Sequence, residues 1–192
     1  EINNTAFDGI VTSLSSGKGD LGVSGITIDD ERKEQVDFSV PYVDSIQYLI
    51  VPEDSTIESM EDLEGMTLGG HTGTTGYMLV ETEISKGELK DKDVEIKPFN
   101  SAPIAMQDLI TGRLDAVVID ELVAKQIAQE NEGYKAIPFV YADGEPVTEQ
   151  FGVAVPKGNE DLLEIVDKVV QELLDSGKID EWIDQYSEGI EE

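Results

Sequence analysis

The feature of this chain that most restricts its fold is a helix–turn–strand unit that occurs twice. Each copy has an apolar helical stretch, then a Gly-x-x-Asp turn at residues 17–20 or 112–115, then a short apolar strand. A glycine directly after a helical stretch is typical of a helix C-terminus. Because strands alternate with helices along the chain, we expect an α/β fold with largely parallel sheets.

One of the two units ends near a single arginine, and the other ends on a single carboxylate. Arg32 follows the first strand, and Asp120 ends the second. Ligands of open α/β sheets bind beyond the carboxyl ends of the strands. A guanidinium grips a carboxylate with two hydrogen bonds, and a carboxylate pairs with an ammonium. An arginine and an aspartate on facing sheets would therefore suit a ligand that has both groups, as a free amino acid does.

Two extended segments without helical signals, about residues 44–52 and 141–152, flank the middle of the chain. Adjacent extended crossings are a common construction for a hinge that closes around a ligand. The sequence therefore predicts a discontinuous first lobe of residues 1–48 and 147–192, and a second lobe of residues 49–146.

Local signals predict several individual elements. Residues 1–4 have the pattern of a strand end, and Ser59 is expected to cap a turn. Asp120 is expected to cap a helix over residues 121–131, and Asn159 a long amphipathic helix over residues 160–175.

Charge and composition exclude several kinds of function. The net charge of −29 would repel nucleic-acid phosphates and anionic lipid. The acidic residues are spread along the helices, which is typical of a solvated surface and agrees with adaptation to a saline medium. The absence of cysteine excludes disulfides and thiolate sites, and a single histidine excludes a multi-histidine metal site. We expect no metal, no cofactor and no nucleic-acid partner.

Motifs along the whole chain resemble the polar amino-acid solute-binding proteins of ABC transporters. They follow that family's order and spacing, and they are residues 7–10, 25–32, 36–42, 63–65, 73–75, 112–115 and 149–159. The resemblance implies a two-lobed α/β protein of the periplasmic-binding-protein-like type II fold. Each lobe would be a mostly parallel sheet flanked by helices, with a two-strand hinge and the ligand in the cleft.

The resemblance also implies a set of ligand-binding residues. Arg32 would hold the α-carboxylate of the ligand and Asp120 its α-ammonium. The other candidates lie at strand ends or helix starts: Phe7, Ser24, Gly25, Thr27, His71, Thr74 and Thr75. Thr74 and Thr75 open a helix, whose free N–H groups and dipole favour a carboxylate.

Several of these candidates also have a purely structural interpretation, which the sequence leaves open. Arg32 could form a surface pair with Glu31 or Glu34, Phe7 could belong to the core, and His71 could be a buried structural histidine. Asp120, Thr74 and Thr75 could serve only as helix caps. Glu149 and Tyr42 are weaker candidates for the hinge side of the cleft.

The resemblance implies an extracytoplasmic binding protein, lipid-anchored in a longer form, which delivers a polar L-amino acid to ABC permease subunits and is not an enzyme. One alternative is the ligand-binding sensor domain of a receptor or histidine kinase. Another is an enzyme similar to cyclohexadienyl dehydratases, although no acid that expels a leaving group can be assigned.

Family members normally begin with a strand and a helix that would precede Glu1. A sheet without a central strand exposes unpaired N–H and C=O groups. We therefore expect the remaining strands to close up, or a second copy to insert a segment and form a strand-exchanged homodimer. Either rearrangement would alter the half of the site built by Phe7, Gly25 and Arg32.

Overall fold

The computed structural model describes residues 1–188, with side chains through residue 186, and shows an α/β protein. The end of the predicted first lobe, residues 189–192, lies outside the described residues. The strands are β1 (Gly22–Thr27), β2 (Val36–Phe38), β3 (Val43–Pro52), β4 (Thr67–His71), β5 (Glu95–Phe99), β6 (Ala116–Asp120), β7 (Tyr134–Pro138) and β8 (Thr148–Pro156). The α-helices are α1 (Ile10–Ser15), α2 (Asp30–Gln35), α3 (Thr75–Lys86), α4 (Ala102–Ile110), α5 (Glu121–Gln129), α6 (Glu160–Asp175) and α7 (Lys178–Glu188).

The chain forms two compact units. Unit 1 comprises Glu1–Ser45 together with the described residues from Glu149 onward, and unit 2 comprises Ile46–Thr148. The domain limits expected from the sequence, 1–48 and 147–192 for one lobe and 49–146 for the other, stay a prediction.

Unit 2 contains a mixed sheet in the order β5-β4-β6-β3-β7. The pairs β4–β5 and β4–β6 are parallel, whereas β3 runs antiparallel to both β6 and β7. Successive residues of β3 and β6 alternate between two apolar clusters, one against α4 and α5 and one against α3. Because both faces are covered, residues 48–51 of β3 and residues 116–119 of β6 are continuous apolar runs.

Unit 1 differs from the expected mostly parallel sheet. In the strand pairs described, β8 lies between β1 and β2 and runs antiparallel to both. The expectation was wrong for this unit because β8 returns from unit 2 in the opposite direction to β1 and β2. Its side chains alternate as well: Ala154 packs with Leu14 and Ile26 on one face, and Val153 and Val155 pack against α6 on the other.

The repeated turn seen in the sequence has the same geometry in both units. Gly17 and Gly112 have φ of 71° and 69°, values that favour glycine. Each donates its N–H over 3.0 Å to the carbonyl three residues earlier, Leu14 and Leu109 respectively. The next N–H in each turn reaches the carbonyl five positions earlier at 2.9 Å. Both helices therefore end in a Schellman motif, and the interpretation of these glycines as helix stops is confirmed.

Of three other local structures expected from the sequence, two helix caps are confirmed and one strand is wrong. Ser59 caps a short 3-10 turn and forms a capping box with Asp62, as expected. Asn159 caps α6 through a hydrogen bond from the Leu162 N–H. Residues 1–4, expected to be a strand end, are exposed and form no strand.

The longest helix in the described range is α6, with 16 residues. It is amphipathic, with Val166 and Val170 buried and charged residues on the opposite side. Within residues 1–188, no helix combines the length and the apolar character that crossing a membrane requires.

Candidate functional site

In unit 1, the guanidinium of Arg32 is buried and held by its own segment of chain. Asp29 is the N-cap of α2, and its Oδ1 accepts a hydrogen bond of 2.8 Å from the Arg32 N–H. The other carboxylate oxygen of Asp29 lies 3.2 Å from Arg32 Nε. Arg32 is only 7% exposed. The alternative of a surface pair with Glu31 or Glu34 is therefore wrong, since the ion pair is with Asp29 and the side chain is buried.

Thr27, at the end of β1, links Arg32 to a second buried charge. Its carbonyl accepts a hydrogen bond of 2.9 Å from Arg32 Nη1. Its hydroxyl donates to Glu149 Oε2 at 2.6 Å, and both of these side chains are buried. The three residues thus form one continuous network, in which Glu149 has a larger part than the sequence indicated.

Phe7 lies in a 3-10 turn before α1. The centre of its ring is 5.8 Å from Arg32 Cζ, within the range of a cation–π contact. The ring also packs against the cluster around Leu14 and Ile26. The site interpretation and the core interpretation of Phe7 are therefore compatible.

Gly25 lies at an irregular position of β1. Its φ is 57°, and the register of β1 against β8 shifts between Gly22 and Ile26, as in a β-bulge. The Gly25 backbone hydrogen bonds to Tyr42, whose pKa is raised by burial although this hydrogen bond opposes the rise. Ser24, just before the irregular position, is exposed.

In unit 2, Asp120 ends β6 and directly precedes α5, at the N-cap position of that helix. Its side chain makes no capping hydrogen bond to that helix, so the expected role as a side-chain cap is wrong. Its Oδ1 instead accepts a hydrogen bond of 2.7 Å from Gln47 Nε2 on the neighbouring strand β3. A contact with a buried amide thus replaces the local cap.

Gln47 was not predicted as a site residue. It is 1% exposed, and the same Nε2 also lies 3.3 Å from Thr75 Oγ1, at the start of α3. A Cβ on Gly76 would lie 2.3 Å from Gln47 Oε1, so an alanine at this position would have to displace the amide. The available signal in the sequence was a single amide inside the apolar run of β3.

His71 and the two threonines lie where β4 leads into α3. The hydroxyl of Thr74 donates to the His71 carbonyl at 2.7 Å and accepts from the Tyr77 N–H at 3.4 Å. Because it accepts this hydrogen bond, the buried Thr74 acts as the N-cap of α3. Thr75 and His71 are partly buried.

The two units thus offer opposite charges. Unit 1 has a fixed guanidinium that can hold a carboxylate, and unit 2 has a carboxylate, with a helix N-terminus nearby. In the part of the chain that the structure describes, no group of three or more His, Asp or Glu side chains could hold a metal ion.

Two curated relatives cover nearly all of this chain. A "probable histidine-binding protein" of Neisseria gonorrhoeae is 32% identical over 187 residues, which are 97% of this chain and 67% of that protein. The L-cystine-binding protein TcyJ of Escherichia coli K12 is 33% identical over 181 residues, which are 93% of this chain and 64% of TcyJ. The chain thus spans about two thirds of the length of these relatives.

A solved structure and a family model agree with these relatives. The amino acid ABC transporter substrate-binding protein AbpA of Streptococcus pneumoniae, bound to L-arginine, is 29% identical with a TM-score of 0.89, over 100% of this chain and 78% of AbpA. The model of the bacterial extracellular solute-binding proteins, family 3, matches residues 1–189. The α/β fold class is thereby confirmed, and this chain belongs to the bacterial extracellular solute-binding proteins of family 3.

Proposed function

We propose that this chain binds a free polar L-amino acid, with Arg32 on the α-carboxylate and Asp120 on the α-ammonium. The observation that carries the proposal is the state of Arg32, a buried guanidinium oriented by Asp29 and by the Thr27 carbonyl. Such a group is prepared for a bidentate contact, because the binding of a ligand does not have to order it first.

The other candidates support this assignment in simpler ways. Phe7 covers one side of the guanidinium, and Gly25, with its positive φ, turns the backbone at the end of β1. Thr75 and His71 provide polar groups close to the start of α3. Relatives that bind histidine, cystine or arginine make these three amino acids the first ligands to test.

A thermal-shift screen with the twenty amino acids tests the proposal. A ligand at 100 times its Kd should stabilise the folded chain by about 2.7 kcal/mol. For a chain of this size that corresponds to a rise in Tm of roughly 5–10 °C. We expect such a rise for a few polar amino acids, with L-arginine and L-histidine first in the screen. No rise with any of the twenty, or with L-cystine added to the screen because one relative binds it, would overturn the proposal.

We further propose that the chain binds its ligand without turning it over. The matching family and relatives are binding proteins. Incubation with arogenate or prephenate, the substrates of the dehydratase-like alternative, should leave both compounds unchanged. Formation of product above a blank that contains heat-denatured chain would support an enzyme instead.

Delivery to ABC permease subunits, outside the cytoplasm, completes the proposal. Deletion of the gene should abolish saturable uptake of the ligand identified in the screen, and protease added to intact cells or spheroplasts should reach the protein. Lipid anchoring of a longer form would appear as incorporation of labelled fatty acid.

The strand-exchanged homodimer is a separate proposal. Light scattering on this chain should give twice its mass of 21.0 kDa. A monomer that binds an amino acid would exclude the exchange.

A further inference from the structure

We propose that Gln47 is a positioning residue for ligand binding, which orients the carboxylate of Asp120 towards the ligand's ammonium. This inference rests on the proposed function, because it assumes that Asp120 receives the ammonium. It goes further by assigning a role to a fully buried side chain on β3 that would touch no ligand itself.

The hydrogen bonds of Gln47 match the donors that it has. A side-chain amide has two N–H donors on one nitrogen. Two acceptors face that nitrogen, Asp120 Oδ1 at 2.7 Å and Thr75 Oγ1 at 3.3 Å. An ionised carboxylate can only accept, so the amide must present its NH2 group to Asp120. The orientation of the amide is therefore fixed by its chemistry.

Asp120 needs such a partner because of its place in the chain. An aspartate at the start of a helix normally turns its carboxylate back onto the N–H groups of that helix. Here the side chain makes no capping hydrogen bond, and one oxygen is bound by Gln47. The amide thus favours a rotamer directed away from the N–H groups of α5.

The surroundings of Gln47 are shaped to admit the amide. Gly76 allows α3 to approach so closely that a Cβ would lie 2.3 Å from Gln47 Oε1 and 3.0 Å from a Val118 methyl group. The neighbours of Gln47 along β3 are apolar, and the run from Tyr48 to Val51 is buried. Since burying an amide is favourable only when it is well bonded, the two contacts offset a cost that a leucine would avoid.

The role of Gln47 predicts a selective effect on ligand binding. Gln47→Met keeps the size and burial of the side chain but has no N–H donor. We expect it to weaken binding of L-arginine about tenfold and to change binding of argininic acid less than twofold. In argininic acid a hydroxyl replaces the α-ammonium. L-histidine and imidazolelactic acid form a second pair of ligands.

Matched variants separate positioning from a general structural role. Gln171→Met removes an exposed Gln–Asp hydrogen bond of 2.8 Å on α6 and should change neither affinity. Gly76→Ala should displace the Gln47 amide while Gln47, Asp120 and Thr75 themselves are not substituted. It should therefore also weaken the binding of L-arginine selectively. Because the readout is a ratio of two affinities measured on one sample, a partly unfolded fraction cancels.

The outcomes distinguish the inference from the proposed function. A wild-type chain that binds neither pair, nor any amino acid of the thermal-shift screen, overturns the proposed function, and one that binds both members of a pair equally overturns the proposed role of Asp120. A wild-type chain that prefers the amino acid, with the same preference in Gln47→Met and Gly76→Ala, overturns the inference about Gln47 alone. Collapse of the preference in both variants, with Gln171→Met unchanged, supports it.

Discussion

The charged side chains of the two units are held in different ways. In unit 1, Arg32 forms an ion pair with residue 29 and a hydrogen bond to residue 27, three and five positions earlier in the chain, and its guanidinium also lies near the ring of Phe7. In unit 2, Asp120 is held by Gln47, which is 73 positions away and belongs to another strand. The guanidinium is thus oriented by a local loop, whereas the carboxylate is oriented only after the sheet of unit 2 has assembled.

Because of this difference, substitutions elsewhere in the molecule should affect the orientation of the two charged side chains differently. A local loop can keep its geometry when distant parts of the molecule are altered, since its hydrogen bonds span a few residues. A contact between strands depends on their register, which the pairs Gln47–Asp120 and Tyr48–Ile119 fix in unit 2. We therefore expect packing changes in unit 2 to affect recognition of the ammonium more than comparable changes in unit 1 affect recognition of the carboxylate.

The largest effect is expected for Arg32→Lys. A lysine cannot form the bidentate contact, and the loss of a charge-assisted hydrogen bond costs about 2–3 kcal/mol, or roughly a hundredfold in affinity. Calorimetric titration should show this loss for the amino acid and for its α-hydroxy analogue alike. Arg113→Lys changes the other arginine, which pairs with Asp108 on the surface, and serves as the control. Unchanged affinity in Arg32→Lys would exclude the assignment.

Asp120→Asn should have the next largest effect, and a selective one. Removing the negative charge should weaken the binding of an amino acid about tenfold to a hundredfold, with much less effect on the binding of the α-hydroxy acid. Asp91→Asn is a suitable control, because Asp91 is exposed and asparagine tolerates its φ of 62°. Equal losses of affinity for both ligands would mean that Asp120 has a structural role and does not bind the ammonium.

A smaller effect, on the free energy of unfolding, is expected for substitutions in the hydrogen-bond networks around Arg32 and Asp120. Thr27→Val removes the hydroxyl that donates to the buried Glu149 carboxylate, and should cost about 1–3 kcal/mol of unfolding free energy. Thr75→Val should cost less than about 1 kcal/mol, because Gln47 keeps Asp120 as a partner over a shorter distance. Denaturant unfolding of both variants tests this order, and the reverse order would mean that the Thr27–Glu149 contact contributes little.

The smallest effect concerns two carboxyl groups whose pKa values lie below the ordinary 3.8 for different reasons. In unit 1 the pKa of Asp37 is lowered first by its hydrogen bond to Lys157, and in unit 2 that of Asp62 by the N–H groups of Glu58 and Ser59. Because the folded pKa lies below the unfolded one, each group stabilises the fold above its unfolded pKa, and this contribution is lost as the pH falls through its folded pKa.

Added salt should separate these two causes. In about 1 M salt, where the Debye length is roughly 3 Å, the pKa of the exposed Asp37–Lys157 pair should rise towards its ordinary value. The pKa of Asp62 should change less, since uncharged N–H groups are the main cause of its lowering and the charge of Lys92 contributes least. Carboxyl chemical shifts in an NMR titration measure both groups in one sample. Equal shifts at the two positions would contradict the assigned causes.

The sequence predicted those parts of the molecule that depend on short spacings. These parts are formed by hydrogen bonds within a few residues, so the local order of residues is enough to predict them. They are the two Gly-x-x-Asp turns, the Ser59 cap and the limits of α6. The single arginine after β1 could be recognised for the same reason, because its motif is continuous.

The parts that were missed depend on contacts between distant residues. The antiparallel course of β8 in unit 1 follows from where the chain re-enters that unit, which no local pattern encodes. Gln47 reaches Asp120 across 73 positions, and Thr27 reaches Glu149 across 122. The expected capping role of Asp120 was wrong for the same reason, since the sequence does not show a competing donor on another strand.

The central claim is that Arg32 recognises a carboxylate and Asp120 an ammonium of one ligand. Its most direct test is a calorimetric titration of the wild-type chain with three compounds that differ only at these groups. For L-arginine they are the amino acid itself, argininic acid without the ammonium, and agmatine without the carboxylate. If both residues act as proposed, both analogues bind at least about tenfold more weakly than the amino acid. An analogue that binds as tightly as the amino acid would contradict the role of the residue that it was designed to test.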